Sequence, residues 1–182
     1  FVDLDNDGET DAAASTGAHP DFGGIQGSTS TRSQPNELWQ GVGGGLFEAR
    51  SMETGFATLD DSTGLVAADL SGDGYLELIV GRAEGEPLLW DNPCGDGAFV
   101  QVELVGPPGN REGYGAQVVA EGPDGRLDRQ EMSNLRGFSQ GPSRLHFGLT
   151  GSGPLRSLVV VWPDGHRSEA RRVPPNRLVT GT

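Results

Sequence analysis

Near the start of the chain, Asp3-Leu4-Asp5-Asn6-Asp7-Gly8-Glu9-Thr10-Asp11 sets oxygen side chains at loop positions 1, 3, 5 and 9, with glycine at position 6. The pattern returns as Asp69-Leu70-Ser71-Gly72-Asp73-Gly74-Tyr75-Leu76-Glu77. Such spacing wraps a loop around a hard cation: carboxylates converge from alternate residues, the carbonyl at position 7 joins them, and glycine permits the sharp turn. Acids this close repel one another unless a divalent ion lies between them. A single match would be balanced by the reading of an ordinary acidic turn; two matches in register favour Ca²⁺. The candidate ligands are Asp3, Asp5, Asp7, Glu9 and Asp11 in the first loop, and Asp69, Ser71, Asp73, Tyr75 and Glu77 in the second. Glu9 and Tyr75 would contribute backbone carbonyls.

The elements that position these loops are strands. An EF-hand needs a bidentate Glu at position 12 and a helix on either side, but position 12 is Ala14 in one loop and Val80 in the other. Leu65-Val66-Ala67-Ala68 enters the second loop and Leu76-Glu77-Leu78-Ile79-Val80-Gly81 leaves it, aliphatic runs that end at glycine and read as strands. The acid at position 9, Asp11 or Glu77, replaces the missing Glu. Four acids in the first loop against three in the second, where Ser71 stands at position 3, rank the second as weaker by charge. Rigidity argues the reverse. The first loop starts at Phe1 and is expected to fray, whereas the second is framed on both sides.

Composition sets the outer bounds. With 182 residues, 30 Gly, 12 Pro and 34% hydrophobic residues, the chain suits one or two domains of short strands and turns. Its net charge of -13 is uneven: residues 1–98 carry -15 and residues 99–182 carry +2. An acidic half beside a near-neutral half points to two modules, the acidic one for cations. No basic stripe exists to meet nucleic-acid phosphates. The single cysteine, Cys94, excludes an internal disulfide and any cysteine-built zinc site, and it reads as a small half-buried turn residue. No apolar run approaches the roughly 20 residues of a membrane-spanning helix. The chain opens inside a motif, so any export signal is expected upstream of Phe1.

An internal repeat runs through the acidic half. The loops begin 66 residues apart, at 3 and 69, and the Gly-, Ser- and Thr-rich stretch from Gly17 to Asn36 reads as an insertion. Each unit then offers an apolar-aromatic strand (Leu38-Trp39; Leu89-Trp90), a glycine turn and a phenylalanine. Gly43-Gly44-Gly45 turns a hairpin into Leu46-Phe47-Glu48-Ala49, with Phe56 and Leu59 opening the next element. From Phe99 the texture changes to close-set strands: 99–105, the hairpin 115–121 and 127–132, 144–149, then 157–162 returning through His166 to Val173. Apolar nearly throughout, 157–162 reads as covered on both faces, and the whole as a small sandwich or barrel.

Catalytic constellations are absent by spacing. His19, His146 and His166 are too scattered for a metal pair, and His146 reads as a structural histidine. No nucleophile elbow, phosphate loop or dinucleotide fingerprint occurs, and the acids that might serve glycoside hydrolysis already hold metal-loop spacing. Trp39, Trp90 and Trp162 read as core residues, with Trp162 before Pro163-Asp164-Gly165 also placed to flank a sugar-stacking surface.

The acidic loops, each followed by an aliphatic strand, resemble the FG-GAP or VCBS repeats of integrin-like β-propellers. The second half resembles the ASPIC/UnbV domain that follows such repeats in cartilage acidic protein and its bacterial relatives. The residues carrying this likeness are Asn110-Arg111, Gly115-Ala116-Gln117-Val118, Gly137-Phe138-Ser139-Gln140-Gly141, His146-Phe147-Gly148-Leu149, Val161-Trp162-Pro163-Asp164-Gly165 and Pro175-Asn176-Arg177. Ser71 departs from the Asp or Asn usual in the repeat. The resemblance implies an all-β chain: partial β-propeller blades over 1–97, then a small antiparallel β-sandwich-like domain over 98–182. It implies an extracellular or cell-surface, calcium-binding, non-catalytic adhesion module whose partners are an extracellular protein or glycan and the remaining propeller blades. The alternative is the C-terminal part of a secreted carbohydrate-binding or carbohydrate-active protein. Material for at most two blades leaves an open sheet edge.

Overall fold

Alternating polar and apolar residues, broken by Gly and Pro turns, form fifteen strands and no helix among the described residues of a computed structural model, which are 1–17, 34–83, 85–92, 95–136 and 139–182. Most of the stretch read as an insertion, with His19, lies outside the described residues, as do Cys94 and the Gly137-Phe138 pair.

The acidic half forms two three-stranded antiparallel sheets. One joins β1 (Ala12–Ala14), β2 (Glu37–Gly41) and β3 (Phe47–Ala49); the other joins β4 (Ser62–Ala68), β5 (Glu77–Arg82) and β6 (Leu88–Trp90). The internal repeat is exact in register. Val2 bridges Asp11 before the first sheet, as Ala68 pairs with Glu77 in the second. Ala12 pairs with Trp39, and its counterpart 66 positions on, Leu78, pairs with Trp90. Each acidic loop is therefore the tip of a β-hairpin. The expected fraying of the first loop is not what the structure shows, because Val2 already exchanges two backbone hydrogen bonds with Asp11, at 3.2 and 2.6 Å.

Leu4, Leu38, Phe56, Leu76, Leu78 and Val80 form one core shared by both sheets. Phe56 is fully buried and meets Trp90 edge-on, ring centroids 5.9 Å apart, but it sits in a turn region rather than opening a strand, and Leu59 is exposed. Val42, Leu46 and Phe47 around the Gly43-Gly44-Gly45 turn are exposed.

The second half is a two-layer sandwich. One layer orders β12 (Leu145–Leu149), β7 (Ala98–Leu104) and β15 (Arg177–Gly181); the other orders β14 (Arg167–Val173), β13 (Leu155–Val161), β8 (Gln117–Glu121) and β9 (Leu127–Glu131). Leu135–Arg136 (β10) and Ser139–Gln140 (β11) pair as a separate two-stranded antiparallel ribbon. The inward residues of both layers, Val100, Val102, Phe147, Val118, Leu158 and Val160 among them, make a second core. Two expectations need amendment here. β15 runs parallel to β7, so the sandwich is not wholly antiparallel. β13 is covered on one face only: Leu158 and Val160 are buried, while Val159 and Val161 are half-exposed. Trp162 belongs to the core, its indole N–H donating to Ser168 Oγ at 3.1 Å, so its ring offers no open stacking surface.

Candidate metal centre

Both acidic loops are folded by the same internal hydrogen bonds. In the first, the Asp3 carboxylate accepts from the Gly8 amide at 2.9 Å, Asp7 from Glu9 at 2.7 Å, and Asp11 from Leu4 at 2.7 Å. In the second, Asp69 accepts from Gly74 at 3.1 Å, Asp73 from Tyr75 at 2.8 Å, and Glu77 from Leu70 at 2.6 Å. Position 6 is left-handed in both, with φ of 86° at Gly8 and 89° at Gly74; so is position 4, at 59° for Asn6 and 79° for Gly72. Glycine meets this demand freely, and asparagine is one of the few other residues that tolerate it.

The loops differ in how their carboxylates converge. Asp3, Asp5 and Asp11 bring ligand oxygens within 4.8 Å of one another, the group among the described residues with spacing fit for a metal ion. One oxygen of Asp3 and one of Asp5 are buried and have no hydrogen-bond partner. The others are held: Gln40 Nε2 donates to Asp5 at 2.5 Å, and the Gly41 amide donates to Asp11 at 2.8 Å. Buried, partnerless carboxylate oxygens are costly, and a cation bound between them would satisfy both. Asp7 is exposed and outside the group, and the Glu9 side chain instead pairs with Arg126.

In the second loop Ser71 leaves no central carboxylate. Both Asp69 oxygens are engaged, by the amides of Gly72 and Gly74 and by Gln101 Nε2 at 2.8 Å. Ser71 and Asp73 are exposed, Glu77 is buried, and the Tyr75 hydroxyl is tied to Gly97 by accepting its amide at 2.7 Å. The order expected from framing is therefore reversed: the first loop gathers its acids and the second spreads them.

The electrostatics follow the geometry. Burial pushes the Asp3 carboxyl up to about 8 and the Asp11 carboxyl up to about 6, with neighbouring acids adding to the rise and accepted amides opposing it. The hydrogen bond from Arg126 holds Glu9 below the usual carboxylate range. These residues fit a divalent cation: a hard, all-oxygen donor set with negative charge concentrated in a desolvated space.

Gln40, Gln101, Asn6 and His146, which brace the loops, are not marked by motif spacing. Asn6 shares position 4 with Gly72 and so reports a left-handed backbone there, while His146 is visible in sequence only as a structural histidine within the motif 146–149. Arg126, in the turn before β9, and Gln101, on β7, reach the loops from far along the chain, and no local pattern announces that.

The chain matches the FG-GAP-like repeat family over residues 3–80 and the ASPIC and UnbV family over residues 106–181. No curated protein matches it.

Proposed function

From a chain that joins an FG-GAP-like repeat to an ASPIC and UnbV domain, we propose a calcium-binding, non-catalytic recognition module of an extracellular or cell-surface protein. The observation that carries this reading is the pair of partnerless buried oxygens on Asp3 and Asp5 beside Asp11. Asp3, Asp5 and Asp11 would hold the ion, which neutralises their mutual repulsion and fixes the hairpin tip. The second loop is a weaker site of the same kind, built on Asp69, Asp73 and Glu77.

The role is recognition rather than turnover. The acids with motif spacing are tied into loop-closing hydrogen bonds, and His146 is enclosed between a loop and a strand rather than set beside a nucleophile. An extracellular protein or glycan is the expected partner, with further propeller blades of a parent chain alongside. Among the described residues no helix is long and apolar enough to cross a membrane.

Calcium should raise the melting temperature by mass action, about 2.7 kcal/mol of added stability at one hundred times Kd. Identical melting curves in excess calcium and in excess chelator would refute the proposal. Turnover on a glycosidase panel would instead favour the carbohydrate-active alternative.

A further inference from the structure

Both acidic loops lean on the outer face of one sheet of the C-terminal sandwich, at two adjacent residues. Gln101 on β7 and His146 on β12 are direct cross-strand partners. Both are buried, although their neighbours along each strand point the opposite way into the sandwich core. What covers them is the pair of loops. Gln101 donates to Asp69 of the second loop at 2.8 Å, and His146 Nε2 lies 2.6 Å from Asn6 Oδ1 of the first.

Asn6 is the centre of this contact. It stands at position 4 of the first loop, between Asp5 and Asp7, and is 1% exposed. Its amide nitrogen donates to the Gly74 carbonyl of the second loop at 2.9 Å, which leaves its oxygen to accept from His146. One side chain thus joins loop one, loop two and the C-terminal sheet. The fit around it is close. Phe99 stacks on His146 with centroids 5.8 Å apart, and a Cβ on Gly74 would overlap the Phe99 ring. A Cβ on Gly148 would overlap the Asp3 carboxylate, so β12 packs against a candidate ligand itself. Thr150 Oγ1 adds a hydrogen bond to the Asp7 carbonyl at 3.1 Å.

We infer that Asn6 makes cation binding and docking of the C-terminal sheet a single equilibrium, with Asn6 and His146 as positioning residues for the first site. The inference rests on the calcium reading of that loop. An ion held between Asp3, Asp5 and Asp11 ties together the two sides of the turn that carries Asn6, and so holds Asn6 against His146 and Gly74. Coupling of this kind is reciprocal: whatever calcium does for docking, docking does for calcium affinity.

The test uses the whole chain, as wild type, Asn6→Gly and His146→Leu. Calcium affinity is read by calorimetry and amide hydrogen exchange is followed along β7 and β12, with calcium and with chelator. In the wild type, calcium should slow exchange in both strands by about tenfold or more, within the roughly 5- to 150-fold range of such couplings. In either variant calcium should still bind, with Kd raised about 5-fold or more, and the calcium-dependent slowing should vanish. Asn6→Gly keeps the left-handed backbone and touches no apolar core residue, so it carries the test if His146→Leu does not fold. Calcium binding with unchanged exchange in wild-type β7 and β12, or variants with wild-type Kd and slowing, would overturn the coupling while leaving the calcium site intact. Absence of any binding heat in the wild type would overturn both.

Discussion

Calcium binding at neutral pH should expel about one proton per ion. Burial sets the acid constants of Asp3 and Asp11 at about 8 and about 6, whereas carboxylates that ligate a metal must be ionised. At pH 7 Asp3 is then about nine-tenths protonated and Asp11 about one-tenth, so roughly one proton leaves as the ion enters. The yield should be about 1.5 at pH 6 and about 0.1 at pH 9. The assay is a calcium titration in buffers of different ionisation enthalpy, where the slope of observed heat against that enthalpy is the proton count. The same residues fix the stability profile of the cation-free chain. Asp3 titrates higher in the folded state than its ordinary 3.8, so the folded state binds more protons across that window and stability falls as pH rises. The contribution is complete below about pH 4 and lost by about pH 8, with a ceiling of roughly 6 kcal/mol at about 1.4 kcal/mol per unit. Saturating calcium should flatten that fall. A buffer-independent heat at pH 7, with binding otherwise intact, would refute the reasoning.

Three substitutions extend the test. Asp3→Asn keeps an oxygen for the Gly8 amide but removes the buried charge; it should abolish the calcium-induced rise in melting temperature and raise the chelator melting temperature at pH 8, read by calorimetric scans. Gly74→Ala forces a side chain onto φ 89° and into Phe99, and urea unfolding should show a loss of about 1–3 kcal/mol or more. Phe147, 1% exposed in the sandwich core, should cost about 3–5 kcal/mol when cut to Ala, by the same measurement.

Much of the architecture was legible because strand signals here are strong. Val100, Val102 and Leu104 alternate with Phe99, Gln101 and Glu103, and Pro163-Asp164-Gly165 marks a turn by its own chemistry. Short or bland elements were not legible. Ala12–Ala14 has no β-branched residue and is a strand only because Glu37–Gly41 lies beside it. Arg177–Gly181 carries little alternation, and its parallel pairing with β7 depends on contacts about 77 residues apart. At the site, the count of acids ranked the first loop ahead, in line with the convergence of Asp3, Asp5 and Asp11, whereas the expectation that a loop starting at Phe1 would fray missed the Val2–Asp11 bridge. Position counting cannot see that Gln101 occupies Asp69, or that Gln40, Gly41 and His146 brace the first loop from elsewhere in the chain.

The parallel pairing of β15 with β7 means the sandwich is sealed by its final segment. Leu178 aligns with Gln101 and Gly181 with Leu104, and the Val105 amide donates to the Gly181 carbonyl at 2.8 Å. During synthesis β7 must wait with one edge bare until residues 177–181 leave the ribosome, and non-local closure of this sort is slow. A nascent chain halted before Arg177 would present that bare edge, together with Gln101, to any strand-forming neighbour. Residues 177–181 thus act as the clasp that closes this edge of the sandwich.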